Sequence, residues 1–143
     1  ATDFSAIGER AVEAGFEIAV EGTEVELFSA WQLPAETMGF HHPVEAAADL
    51  LAPIESSMFA ATNGRLKELA ERYGKEGVGV VVSQREGNPA KSILAKLEAG
   101  NYGLAVTGSH GRRGIKRWLL GSVSERIVQL APCSVLVVRG ETD

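Results

Sequence analysis

Glycine, serine and cationic residues cluster in the segment from Gly108 to Ser122. Gly108 and Gly111 let the backbone turn sharply and approach a ligand closely, because they carry no Cβ atom. Nine residues separate Gly111 from Gly121 and Ser122, where a helix is predicted to begin, and the free amides of a first helical turn attract phosphate oxygens. The hydroxyls of Ser122 and Ser124 can add hydrogen bonds. The pattern favours a phosphate-binding loop, but a plain turn followed by a capped helix would use the same residues.

Cationic side chains occupy the middle of this segment, at Arg112, Arg113, Lys116 and Arg117. The chain as a whole is acidic, with a formal net charge of -5, which disfavours general nucleic-acid binding. A basic run is commonly only a solvated face. Between a strand end and a helix start, however, it raises the positive potential at the place where a phosphate would bind.

Other sites with strong sequence signatures are excluded or weakly supported. The loop has neither the Gly-Lys-Ser/Thr ending of a Walker A motif nor the spacing of a dinucleotide-binding Gly-x-Gly-x-x-Gly motif. His41 and His42 are adjacent and have no obvious carboxylate or cysteine partner, so no metal site is predicted. His110 has no visible paired base, so no catalytic residue is predicted. The one cysteine, Cys133, excludes an internal disulfide.

The length and composition indicate one soluble globular domain. The 143 residues are 45% hydrophobic, and we assign all of them, residues 1–143, to a single domain. No apolar run approaches the roughly 18 residues that span a bilayer. The segment from Ala1 to Ser5 does not resemble a secretory signal, which favours a cytoplasmic location.

The hydrophobic pattern predicts helices and strands in regular alternation. Apolar residues at spacings of three and four, from Phe4 to Ile18, predict a first helix. Short β-branched runs predict strands, and Pro89 suits the first turn of a helix. The predicted helices are Phe4–Val20, Ile54–Tyr73, Pro89–Ala99 and one beginning at Gly121–Ser122; the predicted strands are Val25–Trp31, Gly77–Ser83, Gly103–Thr107 and Val135–Val138. Residues 34–53 are predicted as a loop with one or two helical turns.

This alternation predicts an α/β fold in which helices cover both faces of a mostly parallel sheet. Ligands of such sheets bind beyond the carboxyl ends of the strands, where the Asp3 turn and the segment from Gly108 to Ser122 would meet. An apolar strand should precede Asp3, yet the sequence opens almost directly into a helix. We expect that residues upstream of this sequence supply that strand, although another segment could fill its place.

The spacing of Gly108, Gly111 and Gly121–Ser122 resembles the ATP-binding motif of the universal stress protein family. The flanking "APCSVLVV" and the opening "ATDFS" are also similar to that family, and the resemblance covers nearly the whole chain. It implies a Rossmann-like three-layer α/β/α fold with a five-stranded parallel sheet, whose first strand is missing here. It also implies a homodimer formed through the last strand and an adenine nucleotide at the strand ends. We expect this nucleotide to be ATP, with Mg²⁺ held largely by the phosphates and water.

The resemblance implies a set of nucleotide-binding residues. Asp3 would hold the adenosine portion, although it could instead cap the first helix, and the backbone at Ala30 would contact adenine. Thr107 and Gly108 would lie against the nucleoside, and the phosphates would be surrounded by Gly111, Gly121, Ser122, Val123 and Ser124. From the cationic run, Arg112 is also predicted to bind the nucleotide. The chain departs from the family at Tyr102–Gly103, where an acid is usual, and at Ala30–Trp31, where aliphatic residues are usual. Trp31 could stack near adenine or fill the core.

Three functions follow as hypotheses. The first is a dimeric regulatory module of the stress response that binds ATP. The second is a dimerisation or interaction module of the same family with an empty site. The third, least supported, is a slow ATPase, because the sequence offers phosphate-binding groups but no base to position water.

Overall fold

The computed structural model describes residues 1–32, 45–109 and 120–140. Four helices and four strands alternate in the described ranges: α1 (Ala6–Ile18), β1 (Glu24–Trp31), α2 (Glu45–Tyr73), β2 (Gly79–Glu86), α3 (Pro89–Ala99), β3 (Leu104–Gly108), α4 (Ser122–Leu130) and β4 (Ser134–Val138). The predicted α/β alternation is confirmed. Predictions for His41, His42, His110 and the cationic run lie outside the described residues.

The strands form two parallel pairs. β1 pairs with β2 from Glu24–Gly79 to Trp31–Glu86, and β3 pairs with β4 from Leu104–Ser134 to Gly108–Val138. Helices α1 and α2 contact each other and the strands, as do α3 and α4, which produces the layered arrangement expected for an α/β domain. Four strands are present in the described part of the chain, so the predicted fifth strand is not confirmed.

The N-terminal residues lie between the two strand pairs. The Ala1 amino group donates to the Val106 carbonyl at 2.7 Å, and the Thr2 amide donates to the Phe28 carbonyl at 2.9 Å. Consecutive residues of this segment therefore bond to opposite neighbours, β3 and β1. This contact positions Asp3 near the carboxyl ends of both strands.

The buried core joins α1, β1 and α2. Its buried members are Val12, Phe16, Leu27, Leu66 and Leu69. On the strands' other side, Leu94 and Leu97 of α3 and Ile127 of α4 are also buried. No helix in the described ranges is long and apolar enough to cross a membrane.

The starts of α1 and α2 differ from prediction for identifiable reasons. The first helix begins at Ala6 and not at Phe4, because Phe4 adopts a left-handed conformation with φ 61° and Ser5 is the N-cap. The second helix begins at Glu45 and includes Pro53, whereas the prediction started it at Ile54. The Ala-rich sequence ahead of Pro53 has high helix propensity, which explains why the helix extends through that residue.

Candidate functional site

The carboxyl ends of β1 and β3 expose backbone groups toward the same space. In a parallel ladder, alternate residues direct both backbone groups to one neighbour. Since the Phe28 carbonyl accepts from Thr2, the backbone of Ala30 faces the same side of β1. By the same alternation, the Val106 carbonyl faces Ala1, and Gly108 follows on that side of β3. The predicted site residues Ala30 and Gly108 therefore face each other across the N-terminal segment.

Asp3 forms a tight turn at this position. Its Oδ1 accepts hydrogen bonds from the Ser5 amide at 3.0 Å and the Ser5 hydroxyl at 2.6 Å. The Ser5 hydroxyl in turn accepts from the Gly8 amide at 3.1 Å, which caps α1. The alternative role for Asp3, as the N-cap of α1, is therefore wrong. Ser5 caps the helix and orients the Asp3 carboxylate.

Two glycines allow the turn, α1 and β3 to approach each other. A Cβ at Gly8 would lie 2.7 Å from Asp3 Oδ1 and 2.8 Å from Thr2 Oγ1. A Cβ at Gly108 would lie 2.8 Å from Ile7 Cγ2 and 3.2 Å from the Ile7 carbonyl carbon and oxygen. The adjacent residues Ile7 and Gly8 thus pack against the end of β3 and the Asp3 turn. Gly108 was predicted as a site residue and Gly8 was not, although a glycine in the first turn of a helix was an available signal.

Arg65 of α2 holds the same turn from another side. Its guanidinium lies 4.2 Å from the centroid of the Phe4 ring, and Nη2 donates to the Phe4 carbonyl at 3.3 Å. These contacts stabilise the left-handed Phe4, a conformation that is uncommon outside glycine. The sequence carried no signal for this pair, because 61 positions separate the two residues.

The start of α4 differs from the starts of α1 and α3. Ser5 and Asn88 cap α1 and α3 through their side chains, whereas Gly121 at the start of α4 makes no side-chain cap. The first helical bond of α4 runs from the Glu125 amide to the Gly121 carbonyl. The amides of residues 122–124 therefore have no acceptor within the helix, and they can donate to an anion.

Ser109 ties the start of α4 to the end of β3. Its carbonyl accepts from the Gly121 amide at 2.7 Å and from the Ser124 hydroxyl at 2.9 Å. The Ser124 hydroxyl also lies 2.9 Å from the Gly121 carbonyl, and Ser124 is 3% exposed. Because a hydroxyl has one proton, this group is occupied within the loop, and the amide of Ser124 is the donor left for a ligand. Thr107, at the end of β3, is also buried.

The structure thus brings together most of the predicted site. Asp3, Ala30, Thr107 and Gly108 lie at the strand ends, and the residues from Gly121 to Ser124 are attached there through Ser109. Gly111 and Arg112 lie outside the described residues. Trp31 donates from Nε1 to Gln84 Oε1 at 2.8 Å, so its indole is bonded across the β1–β2 pair.

Solved structures share this fold. A structure reported as a structure-based assignment of the biochemical function of the hypothetical protein MJ0577 superposes with a TM-score of 0.82 at 21% identity, over 99% of this chain and 94% of that one. A universal stress protein UspA from Lactobacillus plantarum gives 0.77 at 17% identity, over 96% and 93%. A universal stress protein in complex with cAMP gives 0.63 at 22% identity, over 98% and 93%. These likenesses establish the fold.

Sequence comparison establishes the family. A universal stress protein of Methanocaldococcus jannaschii is 34% identical over 97 residues, which are 68% of this chain and 55% of that protein. Universal stress protein YxiE of Bacillus subtilis is 38% identical over 74 residues, 52% of this chain and 50% of that protein. The aligned part of the chain thus spans about half the length of these relatives. The model of the universal stress protein family matches residues 1–139, and the chain therefore belongs to that family.

Proposed function

We propose that this chain is a regulatory module of the stress response that binds ATP at the carboxyl ends of β1 and β3. The observation that carries the proposal is the convergence of three features at this edge. They are the Asp3 carboxylate, the inward-facing backbones of Ala30 and Gly108, and the start of α4 with its free amides. The structural neighbour solved with cAMP supports an adenine nucleotide as the ligand.

Each feature suits a different part of the nucleotide. The helix dipole and the amides of Ser122, Val123 and Ser124 favour the negatively charged phosphates. A carboxylate such as that of Asp3 accepts hydrogen bonds from ribose hydroxyls, and the backbone of Ala30 offers a donor and an acceptor to adenine. Gly111 and Arg112 would add phosphate contacts.

Mg²⁺ would accompany ATP and be held mainly by phosphate oxygens and water, as is usual for this ion. In the ranges that the structure describes, there is no group of three or more His, Cys, Asp or Glu residues that could hold a metal ion. The proposed role is regulatory because the assigned groups bind the nucleotide without supplying a base for hydrolysis.

A proline at the first position of α4 tests phosphate binding directly. Ser122→Pro removes one free amide and one hydroxyl but preserves the helix, because proline suits this position and Gly121 is already extended with ψ 152°. We expect ATP affinity, measured by calorimetry with Mg²⁺, to fall at least about tenfold, since a charged hydrogen bond contributes about 1.5–3 kcal/mol. Ala6→Pro, at the same position of α1, is the matched control and should leave the affinity unchanged.

The proposed contact between Asp3 and the nucleoside can be tested by the same calorimetric titration. Asp3→Asn keeps an Oδ1 acceptor for Ser5 and removes the negative charge, so ATP should bind more weakly while inorganic pyrophosphate binds as before. Titration with cAMP shows whether the site prefers the cyclic nucleotide. Failure of ATP to bind the unmodified chain at millimolar concentration, or equal ATP affinity for Ser122→Pro and wild type, would contradict the proposed site.

We also propose that the chain forms a homodimer through the outer edge of β4. The Val138 carbonyl accepts from Ser109 on the β3 side, so by alternation the backbones of Val135 and Val137 face the outer edge. Leu136 is 37% exposed. A strand edge of this kind can pair with a second copy of itself.

Charge at this edge should dissociate the dimer. Val135→Lys is expected to yield a monomer in sedimentation velocity at micromolar concentration, with and without ATP, because two copies would place like charges at one interface. Val81→Lys introduces the same charge on β2, where Val81 is 40% exposed. This variant should still sediment as a dimer. A monomeric unmodified chain would contradict the dimer. A dimer that binds no ATP would instead favour an interaction module with an empty nucleotide site.

A further inference from the structure

Phe4 connects Asp3 to Ser5, and hydrogen bonds hold its backbone on both sides. Its amide donates to the Thr2 hydroxyl at 3.0 Å, and its carbonyl accepts from Arg65 Nη2 at 3.3 Å. Asp3 carries the carboxylate of the proposed nucleotide site, and Ser5 donates to that carboxylate through its amide and its hydroxyl. The conformation of Phe4 therefore sets where the Asp3 carboxylate lies relative to Ser5 and α1.

The backbone conformation of Phe4 is unfavourable for phenylalanine by itself. Among the residues that the structure describes, Phe4 is the one residue other than glycine with a positive φ, at 61°. A left-handed backbone brings Cβ too close to the following carbonyl oxygen, and asparagine and aspartate tolerate it better than bulky side chains do. Contacts from elsewhere in the fold must therefore compensate for the cost at Phe4.

Arg65 contacts both the backbone and the ring of Phe4. Besides the hydrogen bond to the carbonyl, its guanidinium carbon lies 4.2 Å from the ring centroid, a distance at which a cation is attracted to an aromatic face. The ring also packs against the buried cluster of α1, β1 and α2. A planar guanidinium can stack on a ring and donate from its edge, whereas a lysine ammonium lacks this geometry.

The helix that carries Arg65 is anchored on the sheet. Leu66 and Leu69 of α2 are buried in the core cluster, and Gln84 of β2 donates to the Phe59 carbonyl of α2 at 2.9 Å. Arg65 itself is exposed, but its neighbour Leu66 is fully buried. The core therefore fixes the position from which Arg65 reaches the turn.

The helices α1 and α2 hold the Asp3 turn by different means. A Cβ at Gly8 of α1 would lie 2.7 Å from Asp3 Oδ1, so the backbone of α1 lies directly against the carboxylate. From α2, Arg65 holds the next residue, Phe4, through one hydrogen bond and one ring contact. Loss of the Arg65 contacts would leave the left-handed Phe4 without compensation, and the Asp3 carboxylate would sample other positions.

We propose that Arg65 is a positioning residue of the nucleotide site, which keeps Phe4 left-handed and thereby holds the Asp3 carboxylate where ribose hydroxyls can donate to it. This inference rests on the proposed function, in which Asp3 contacts the nucleoside. A binding group that is already ordered raises affinity, because less conformational freedom is lost when the ligand binds. Arg65 acts through Phe4 and not on the phosphates, so its removal should weaken binding of the nucleoside part alone.

Arg65→Met tests this role in the unmodified fold. Methionine has nearly the same helix propensity as arginine, but it has neither the charge nor the hydrogen-bond donors. By calorimetry with Mg²⁺, we expect ATP affinity to fall about three- to tenfold, the size expected for losing one exposed hydrogen bond and one cation–π contact. Inorganic pyrophosphate should bind as it does to the unmodified chain.

Arg72→Met is the matched control on the same helix. Arg72 also lies over a ring, 5.9 Å from the Tyr73 centroid, and its Nη1 donates to Glu9 Oε2 at 3.5 Å. Exposed ion pairs of this kind contribute little, so Arg72→Met should retain the ATP affinity of the unmodified chain. Arg65→Lys keeps the charge without the planar geometry, and it should bind ATP more weakly than the unmodified chain does.

A Phe4→Asn background separates the proposed role from a general loss of structure. Asparagine adopts the left-handed backbone more readily than phenylalanine and offers no ring to the guanidinium. In this background Arg65→Met should therefore lower ATP affinity by less than about twofold, because the two side chains no longer interact.

Amide hydrogen exchange measures the turn without any nucleotide. The Ser5 amide donates to Asp3 Oδ1, so its exchange, followed by NMR, should be at least about threefold faster in Arg65→Met and unchanged in Arg72→Met.

Four results would each overturn the proposal. They are unchanged Ser5 exchange in Arg65→Met, full ATP affinity in Arg65→Met or Arg65→Lys, weaker pyrophosphate binding by Arg65→Met, and an equal effect of Arg65→Met in the Phe4→Asn background. An unmodified chain that binds no ATP would instead contradict the proposed function, whereas the exchange of the Ser5 amide would still decide whether Arg65 holds the turn.

Discussion

Gly108→Ala is expected to weaken ATP binding at least about tenfold and to lower the free energy of unfolding by about 1–3 kcal/mol, the usual cost of overpacking. The new methyl group would lie 2.8 Å from Ile7 Cγ2 and 3.2 Å from the Ile7 carbonyl carbon and oxygen. The Ile7 side chain can rotate away, but its backbone belongs to the first turn of α1. Relief therefore requires α1 to move relative to β3. Such a movement also shifts the Asp3 turn, which packs on the adjacent Gly8.

The matched control is Gly103→Ala, just ahead of β3, where an added Cβ would meet no atom within 4 Å. Calorimetric titration with ATP and urea denaturation should separate the two variants clearly. If Gly108→Ala binds ATP as tightly as Gly103→Ala does, the close packing of Ile7 on the strand end does not position the nucleotide site.

The strands were predicted well because each is a short β-branched run bounded by turn residues. The ends of the strands were less predictable, because hydrogen bonding to a neighbouring strand can lengthen a strand beyond its β-branched run. β2 continues to Glu86, beyond the predicted end at Ser83, because β1 offers partners as far as Trp31. The predicted start at Gly77 was early because Gly77 has φ 77° and its carbonyl accepts from the Gly22 amide in a turn. Such boundaries depend on contacts between distant segments.

The residues of the candidate site were also predictable only where their role is local. Gly108, Gly121 and Ser122 could be found because glycine and serine at a strand end and a helix start have local roles. Gly8 and Arg65 act through neighbours that only the folded chain supplies. Ser124 was identified from the sequence, but its availability was not predicted correctly. Its hydroxyl was predicted to be available for phosphate, whereas it donates to the Ser109 carbonyl. Sequence could identify the groups near the site, whereas their hydrogen-bond partners required the structure.

Leu66→Ala is expected to lower the free energy of unfolding by about 2–5 kcal/mol, the range for removing a buried leucine side chain. Leu66 is 0% exposed and belongs to the cluster that joins α2 to α1 and β1, so its removal leaves a cavity at their junction.

Phe59→Ala on the same helix is the control, because Phe59 is 53% exposed and its replacement should cost about 0.5 kcal/mol or less. Urea denaturation measures both values. In the absence of urea, folded Leu66→Ala should bind ATP with the same affinity as the unmodified chain, since Leu66 supports the scaffold and lies outside the proposed nucleotide contacts. A similar loss of stability in both variants would contradict this assignment of the core.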